Sequence, residues 1–391
     1  MGEVVMRSTF EFMQGEWKRI LKSSDLRMMV FLAPILYGVI LSFAYYHGRV
    51  QEVPIGVVVE DSSEFTREFL RQVDATEEVQ IYSAYVNLPE AQEAMAAGKT
   101  SATLLIPRDF SIKQKHLRQS PLYLSSNASN FALANPTMVG TSTVAQVYGA
   151  GTLFNVLRKA GLPKEKAKVL ANPIAVERKP IFNPLINYSF FFVPGLIYAI
   201  LQQIILVGLC FSLTEQKDSG TWVVPEKKKL VPYILGRSLP YALINALLAV
   251  GFIYVLLPWI SIPAHLSQMG LLALMSFLFT FSAALVGFFF GVIIKDSVTA
   301  FIALMFYSMP AFLISGMSWP QYNLSWGLKV LSWLTPITHF GDAVRRAILE
   351  PQVGIRHVAG ALLSLLIFSV IVLALNYWLL RRETVKSQSL N

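Results

Sequence analysis

The stretch LINYSFFFVPGLIYAILQQIILVGLCFSLTEQKDSGTW, Leu185–Trp222, is apolar as far as Leu213 and then turns abruptly charged. A helix needs about 20 mostly apolar residues to cross the hydrocarbon core of a bilayer, and this run supplies them. Five other runs read the same way: Met28 to Tyr46, the stretch from Tyr241, about Met269 to Ile294, VTAFIALMFYSMPAFLISGM directly after it, and the stretch from His357. Composition agrees. The chain is 54% hydrophobic and 15% charged, with mean hydropathy +0.50, whereas soluble domains carry about 25% charged residues. The expectation is a membrane all-α bundle of six transmembrane helices.

The formal net charge of +9 would suit nucleic acid in a soluble protein. Here the basic residues flank the apolar runs and no basic motif or stacking platform accompanies them, so a nucleic-acid partner is set aside. One group of flanks holds Arg7, Lys18, Arg19, Lys22 and Arg27, then Lys217, Lys227, Lys228, Lys229 and Arg237, then Lys295, then Arg381, Arg382 and Lys386. The opposite short flanks hold fewer: Lys329, Arg345, Arg346 and Arg356. Positive charge stays on the cytoplasmic side, which predicts cytoplasmic termini and an outer location for the long segment after the first span. The start is too polar for a signal peptide. Met6 stands where a myristoylation motif needs Ser or Thr. The single cysteine, Cys210, lies in an apolar run and reads as a small hydrophobe.

Ahead of the first span, Phe10, Met13, Trp17, Ile20 and Leu21 recur at helical spacing, with Glu11, Glu16, Lys18, Arg19 and Lys22 off that stripe. This predicts an amphipathic helix lying in the membrane interface, against the alternative of a solvated N-terminal helix. After the first span, VPIGVVVE, VQIYSAYV, TSATLLIP and PLYLSSN read as strands. SSEFTREFLRQV and LPEAQEAMAAG read as helices, capped by Ser62 or Ser63 and closed by Gly98 respectively. A longer helix is expected from Val139 to Lys159. The order predicts an inserted extracytoplasmic α/β domain between helices 1 and 2.

Several motifs fail on inspection. Gly98-Lys99-Thr100 resembles the tail of a phosphate-binding loop, but Glu93 stands where the leading Gly belongs and a strand follows instead of a helix. Any energy source therefore lies in another chain. His47, His116, His265, His339 and His357 show no metal-ligand spacing. The spans hold almost no ionisable group that could relay protons. Their Ser and Thr residues read as helix-packing groups. Pro34, Pro194 and Pro310 can kink their helices. Asp342 stands three and four residues before Arg345 and Arg346 and can pair with either. Trp319, Tyr322, Trp326 and Trp333 read as an interfacial aromatic belt on short helices.

Four stretches, in order, resemble the permease subunits of ABC-2 type exporters, over nearly the whole chain. They are VPIGVVVEDSS with LPEAQEAMAAGKTSATLLIPRDF, then FNPLINYSFFFVPGLIYAIL, then TEQKDSGTW, then GRSLPY. LTPITHFGDAVRRAIL is similar to the family's fifth-to-sixth region. One departure stands out: Trp222 and Val223 follow Thr221, where the family has an acidic residue two positions after Gly-Thr.

The resemblance implies the transmembrane half of an exporter in the bacterial inner membrane. The chain would bind no cofactor, with ATP and Mg on two partner ATPase subunits. A second permease, identical or homologous, completes the pair, and a periplasmic adaptor and outer-membrane channel join some relatives. The segments it implies are 1–27 (amphipathic), 28–47 (first span), 48–184 (outer domain), 185–213 (second span), 214–237 (coupling), 238–318 (third to fifth spans), 319–356 (outer-surface helices), 357–380 (sixth span) and 381–391 (tail). ATPase-coupling residues would be Glu215, Lys217, Asp218, Gly220, Thr221 and Trp222, supported by Trp17, Lys18 and Arg19. Gln202, Gln203, Asn245, Met305, Phe306 and Met309 are expected along a path suited to an amphipathic, drug-like or lipid-like substrate. The competing reading is a non-transporting receptor or assembly scaffold acting through the outer domain.

Overall fold

The structure, a computed structural model, describes all residues except Met1, His47, Arg49, 175–178, 184–186, Leu390 and Asn391, and the side chains of 2–4 and 386–389. The expectations for His47, Pro184, the span start at Leu185 and the Lys386 side chain fall outside the described residues. The chain forms two compact units, Arg49–Lys179 and the combination of Met1–Gly48 with Pro180–Asn391.

The larger unit opens with α1 (Gly2–Lys22) and the first span α2 (Ser24–Ala44). In the smaller unit follow β1 (Val53–Val59), α3 (Glu64–Asp74), β2 (Val79–Tyr85), α4 (Leu88–Ala96), β3 (Ala102–Ile106), α5 (Phe110–Lys115), β4 (Tyr123–Ser126), α6 (Phe131–Lys159) and α7 (Lys164–Ala171). The larger unit resumes with the spans α8 (Tyr188–Asp218), α9 (Lys227–Trp259), α10 (Leu266–Ile293) and α11 (Ser297–Ile314). Two short helices, α12 (Trp326–Ser332) and α13 (Pro336–Leu349), precede the last span in α14 (Ile355–Ser389). Among the described residues, six helices are therefore long and apolar enough to cross a membrane.

The smaller unit is built on a four-stranded sheet of order β2-β1-β3-β4, with β1 parallel to both β2 and β3, and β4 antiparallel to β3. Strand β1 lies between two neighbours and is buried along most of its length, which is why it reads as an unbroken apolar run. Ser63 caps α3 by accepting from the Thr66 amide at 3.2 Å, and Asn87 caps α4 by accepting from the Glu90 amide at 3.0 Å. Gly98, at φ +74°, ends the α4 turn. The long helix begins at Phe131, earlier than the pattern from Val139 indicated, and carries Pro136 inside its N-terminal part.

Asp61 ties the β1 exit to α5. Its carboxylate accepts from the Ser63 amide at 3.0 Å and the Ser111 amide at 2.7 Å. Burial pushes this carboxyl up, but the hydrogen bonds from Ser111 and Ser63 outweigh it and hold the pKa below the ordinary 3.8. A lowered pKa means stability present above 3.8 and lost as pH falls through the lowered value. Asp61→Asn removes one acceptor and should speed hydrogen exchange at the Ser63 and Ser111 amides at pH 7. The difference from the native chain should shrink as pH falls below the carboxylate range.

In the larger unit, two spans contain a π-helical turn just before a proline: Met28–Leu32 before Pro34, and Phe252–Leu256 before Pro258. The extra residue per turn relieves the clash between a proline ring and the preceding turn's carbonyl. The α-helical part of the first span packs closely on the second of these turns, because a Cβ on Gly38 would lie 2.7 Å from Leu256 Cδ1 and 3.1 Å from the Phe252 ring. Serines and threonines inside the bundle do pack helices together. Ser276 bonds the Tyr198 hydroxyl at 2.7 Å, Thr280 donates to the Ala242 carbonyl at 2.9 Å, and Ser282 meets Ser369 at 2.7 Å. Arg345 pairs with Asp342 at 3.4 Å, while Arg346 turns to Glu350 at 3.2 Å.

Candidate functional site

Helix α1 rests on the bundle by one face and leaves part of its apolar stripe, expected to lie in the membrane interface, exposed. Phe10 and Leu21 are exposed, and the packed face is Ser8, Phe12, Glu16 and Ile20, one residue per four. A spacing of four places these side chains one above another on a helix. The α1 backbone comes very close to α9 at Gly236. A Cβ there would lie 2.6 Å from Phe12 Cβ and 2.7 Å from the Thr9 carbonyl oxygen. Phe12 stands edge-on to Tyr233, with ring centroids 5.1 Å apart. Gly236→Leu should therefore push α1 off its seat at a cost of about 1–3 kcal/mol, typical of overpacking. Faster hydrogen exchange in α1, with the remaining helices unchanged, would be the readout.

At the centre of this seat lies a charge. Glu16 is fully buried and meets the equally buried Arg237 of α9, Oε2 to Nε at 2.5 Å. Its other oxygen, Oε1, accepts from Ser212 Oγ of α8 at 2.6 Å and from the Tyr241 hydroxyl at 2.9 Å. Arg237 spends its remaining donors within the same cluster. Nη1 donates to Gln216 Oε1 and to the Tyr233 hydroxyl, both at 3.2 Å, and Nη2 donates to Ser212 Oγ at 3.2 Å. Buried ions are tolerated where the pair is close and its other sites are satisfied, and both conditions hold. The result is a polar joint fastening α1, α8 and α9 together. Arg19, half-buried, sits 3.6 Å from Glu16 at its edge.

The charged end of α8 forms a second fastening one turn further on. Lys217 points its ammonium at the end of α10 and donates to the carbonyls of Gly291 at 2.8 Å, Val292 at 2.6 Å and Ile294 at 2.6 Å. These are C-terminal carbonyls that a helix leaves without partners, and a cation there also complements the helix dipole. Asp218 does the reverse for α11: it accepts from the Ser297 amide at 3.2 Å and from Ser297 Oγ at 2.7 Å. A lysine and an aspartate in sequence thus fasten the α10–α11 turn to α8.

Helix α8 stops in a defined way. Gly220 takes φ +66°, and the Thr221 and Gly220 amides return to the Gln216 and Lys217 carbonyls at 2.8 and 3.1 Å. This is the reversed turn that a C-terminal glycine allows. Trp222 then folds back under the Lys217 ammonium, 4.7 Å from ring centroid to nitrogen. The connection between α8 and α9 is much shorter than 214–237, because α8 continues to Asp218 and the next helical turn starts at Lys227.

The expected coupling residues therefore fall into two groups. Lys217, Asp218 and Trp222 are engaged within the chain, Glu215 is half-buried, and Gly220 shapes the turn. Thr221, Lys18 and the neighbouring Val223 are exposed, and Trp17, on α1, packs partly against the bundle core. Of the expected path residues, Gln202 and Asn245 are buried inside the bundle, where Gln202 Oε1 and Asn245 Oδ1 have no hydrogen-bond partner among the described residues. Gln203 reaches Met305 Sδ at 3.9 Å. Phe306 and Met309 stand on the exposed face of α11. Of the six, Gln203 and Met305 are brought together, Gln202 and Asn245 are buried in the bundle, and Phe306 and Met309 are exposed. Among the described residues no three His, Cys, Asp or Glu side chains gather as a metal would need.

Reasoning from the sequence missed Glu16 and Arg237 as a pair. In the sequence Glu16 lies off the apolar stripe and Arg237 stands among the flanking charges. The signal lay in the spacing of four from Ser8 through Phe12 and Glu16 to Ile20, which competes with the longer apolar stripe.

Comparison with known proteins gives one consistent answer. A family model described as ABC-2 family transporter protein matches residues 25–378. The chain is 26% identical over 383 residues to a probable multidrug ABC transporter permease, YbhR, of Escherichia coli strain K12, covering 95% of this chain and 97% of the relative. It has the same similarity to the corresponding protein of Escherichia coli O157:H7. The family match runs from the first span through most of the last, and the chain therefore belongs to the ABC-2 family of transporter proteins, as a multi-pass membrane permease.

Proposed function

We propose that the chain is the membrane subunit of an ATP-driven exporter in a bacterial inner membrane. In this reading both termini and the α8–α9 connection are cytoplasmic, and the 49–179 unit lies outside. Two ATPase subunits bind ATP and Mg and dock at the exposed turn after α8. A second permease, identical or homologous, completes the path, and an adaptor with an outer-membrane channel extends it. The relative's description as a multidrug permease and the apolar character of α11 support an amphipathic, drug-like or lipid-like substrate.

The observation carrying this reading is the pair of fastenings at the charged ends of the spans. A push on the α8 turn or on α1 reaches α9 through Glu16–Arg237 and reaches α10 and α11 through Lys217 and Asp218. Lys217 and Asp218 act in this scheme as transmitters within the chain, while Thr221 and Val223 are exposed for docking. Thr221→Arg with Val223→Asp should weaken co-purification of the ATPase from detergent about tenfold, the equivalent of about 1.4 kcal/mol of docking energy. The Lys217 fastening, read by hydrogen exchange at the α10 end, should be untouched. If no ATPase co-purifies with the native chain, the exporter reading fails and the receptor or scaffold reading takes its place.

A further inference from the structure

The 49–179 unit contains a cleft of about 660 Å³ between α6 and the β3–β4 side of its sheet. That volume is within the range of small-molecule sites, about 300–1,000 Å³. The floor is Phe69, Leu104 and Phe110, each almost fully buried in the unit's core. The opposite wall is α6, where Met138 and Val139 remain nearly half exposed. The α6 wall mixes large residues, Met138 and Tyr148 among them, with the small Ala145 and Gly149. A Cβ added to Gly149, which borders it, would meet no atom within 4 Å.

Its chemistry is specific in two respects. The lining holds no Asp, Glu, Lys, Arg or His; its polar members are amides and hydroxyls. A charged group placed against this lining would find no counter-charge in it. Second, Thr141 lines the cleft, is 2% exposed, and its hydroxyl has no hydrogen-bond partner among the described residues. A buried hydroxyl left unpaired costs about 1–3 kcal/mol, and a ligand group placed there would recover it. Ser120 Oγ, also in the lining, likewise lacks a partner among them.

We propose that this cleft binds an uncharged aromatic amphiphile, its ring against Phe69, Phe110 and Leu104 and its polar group hydrogen-bonded to Thr141 Oγ1. The site is made entirely by the 49–179 unit and does not rest on ATP-driven export. It gives the permease a place within the 49–179 unit to sense or hand on a small molecule.

The chain's one native thiol, Cys210, is fully buried in the bundle, so a single introduced cysteine reports cleanly. The test uses the full chain in nanodiscs with Val139→Cys, labelled by an uncharged maleimide in the presence of N-phenyl-1-naphthylamine. Val86→Cys, in the same unit, exposed and outside the cleft, is the control. The probe should slow labelling at position 139 several-fold and leave the control unchanged. Adding Thr141→Val should raise the probe concentration needed for half protection about tenfold. Ser142→Trp, a rim change on an exposed residue, should abolish protection. No protection at position 139, equal protection of the control, or protection indifferent to both Thr141→Val and Ser142→Trp overturns the proposal. The export reading is tested separately by ATPase co-purification, so either can fail alone.

Discussion

Glu16→Ala is expected to destabilise the membrane unit by about 3–5 kcal/mol, because it leaves the Arg237 guanidinium buried without its counter-charge. Arg237→Ala should cost a similar amount by stranding the Glu16 carboxylate. The two losses should not add. Glu16→Leu with Arg237→Met removes both charges and fills the volume with apolar groups, a change that is often neutral or stabilising. Cys210 offers a built-in gauge, since it is buried in the same core cluster as Ile20, Tyr233 and Tyr241. Its reaction with a thiol dye on heating should begin at lower temperature in each single variant and near the native temperature in the double variant. If the single variants unfold like the native chain, the joint contributes nothing.

Lys217→Met is expected to have the next largest effect. Three carbonyls at the end of α10 accept from one ammonium. A hydrogen bond to a charged group contributes about 1.5–3 kcal/mol, and the methionine chain keeps the aliphatic packing while removing every donor. Lys217→Arg should recover only part of the loss, because a planar guanidinium cannot aim at three converging carbonyls as an ammonium can. Hydrogen exchange across 290–300 should rise strongly in the methionine variant and moderately in the arginine variant. Unchanged exchange there would mean that Lys217 is free to serve as a docking residue.

The sequence made some levels of this structure readable and hid others. The spans follow from local hydropathy, and the strands β1, β2 and β3 from short runs of β-branched, aromatic and apolar residues between capped helices, so both are visible without tertiary information. The apolar run of α9 begins only at Tyr241, whereas the helix begins at Lys227, because Lys227–Lys229 and Arg237 read in sequence as a polar connector. In the fold, Arg237 is inside the helix and its charge is cancelled by Glu16, near the other end of the chain, a pairing that no local pattern encodes. The burial of Glu16 has a local trace, the spacing of four through Ser8, Phe12, Glu16 and Ile20, but the longer apolar stripe masks it. Lys217 and Asp218 were legible as important, since a mixed-sign cluster at a span end needs an explanation beyond orientation. Their partners are mainly backbone groups of a later turn, which carry no side-chain signature. The early start of α6 at Phe131 was masked by Pro136, which usually argues against a helix interior.

Movement at the ATPase, in this scheme, reaches the spans through the seat of α1 and the Glu16–Arg237 joint. The direct measurement is the coupling ratio, substrate moved per ATP hydrolysed, in vesicles containing the permease with its ATPase. Gly236→Leu unseats α1 and leaves the α8 turn in place. In that variant the ATPase should still bind and hydrolyse ATP while transport falls toward background. Native transport per ATP, with α1 shown by hydrogen exchange to be displaced, would contradict the scheme.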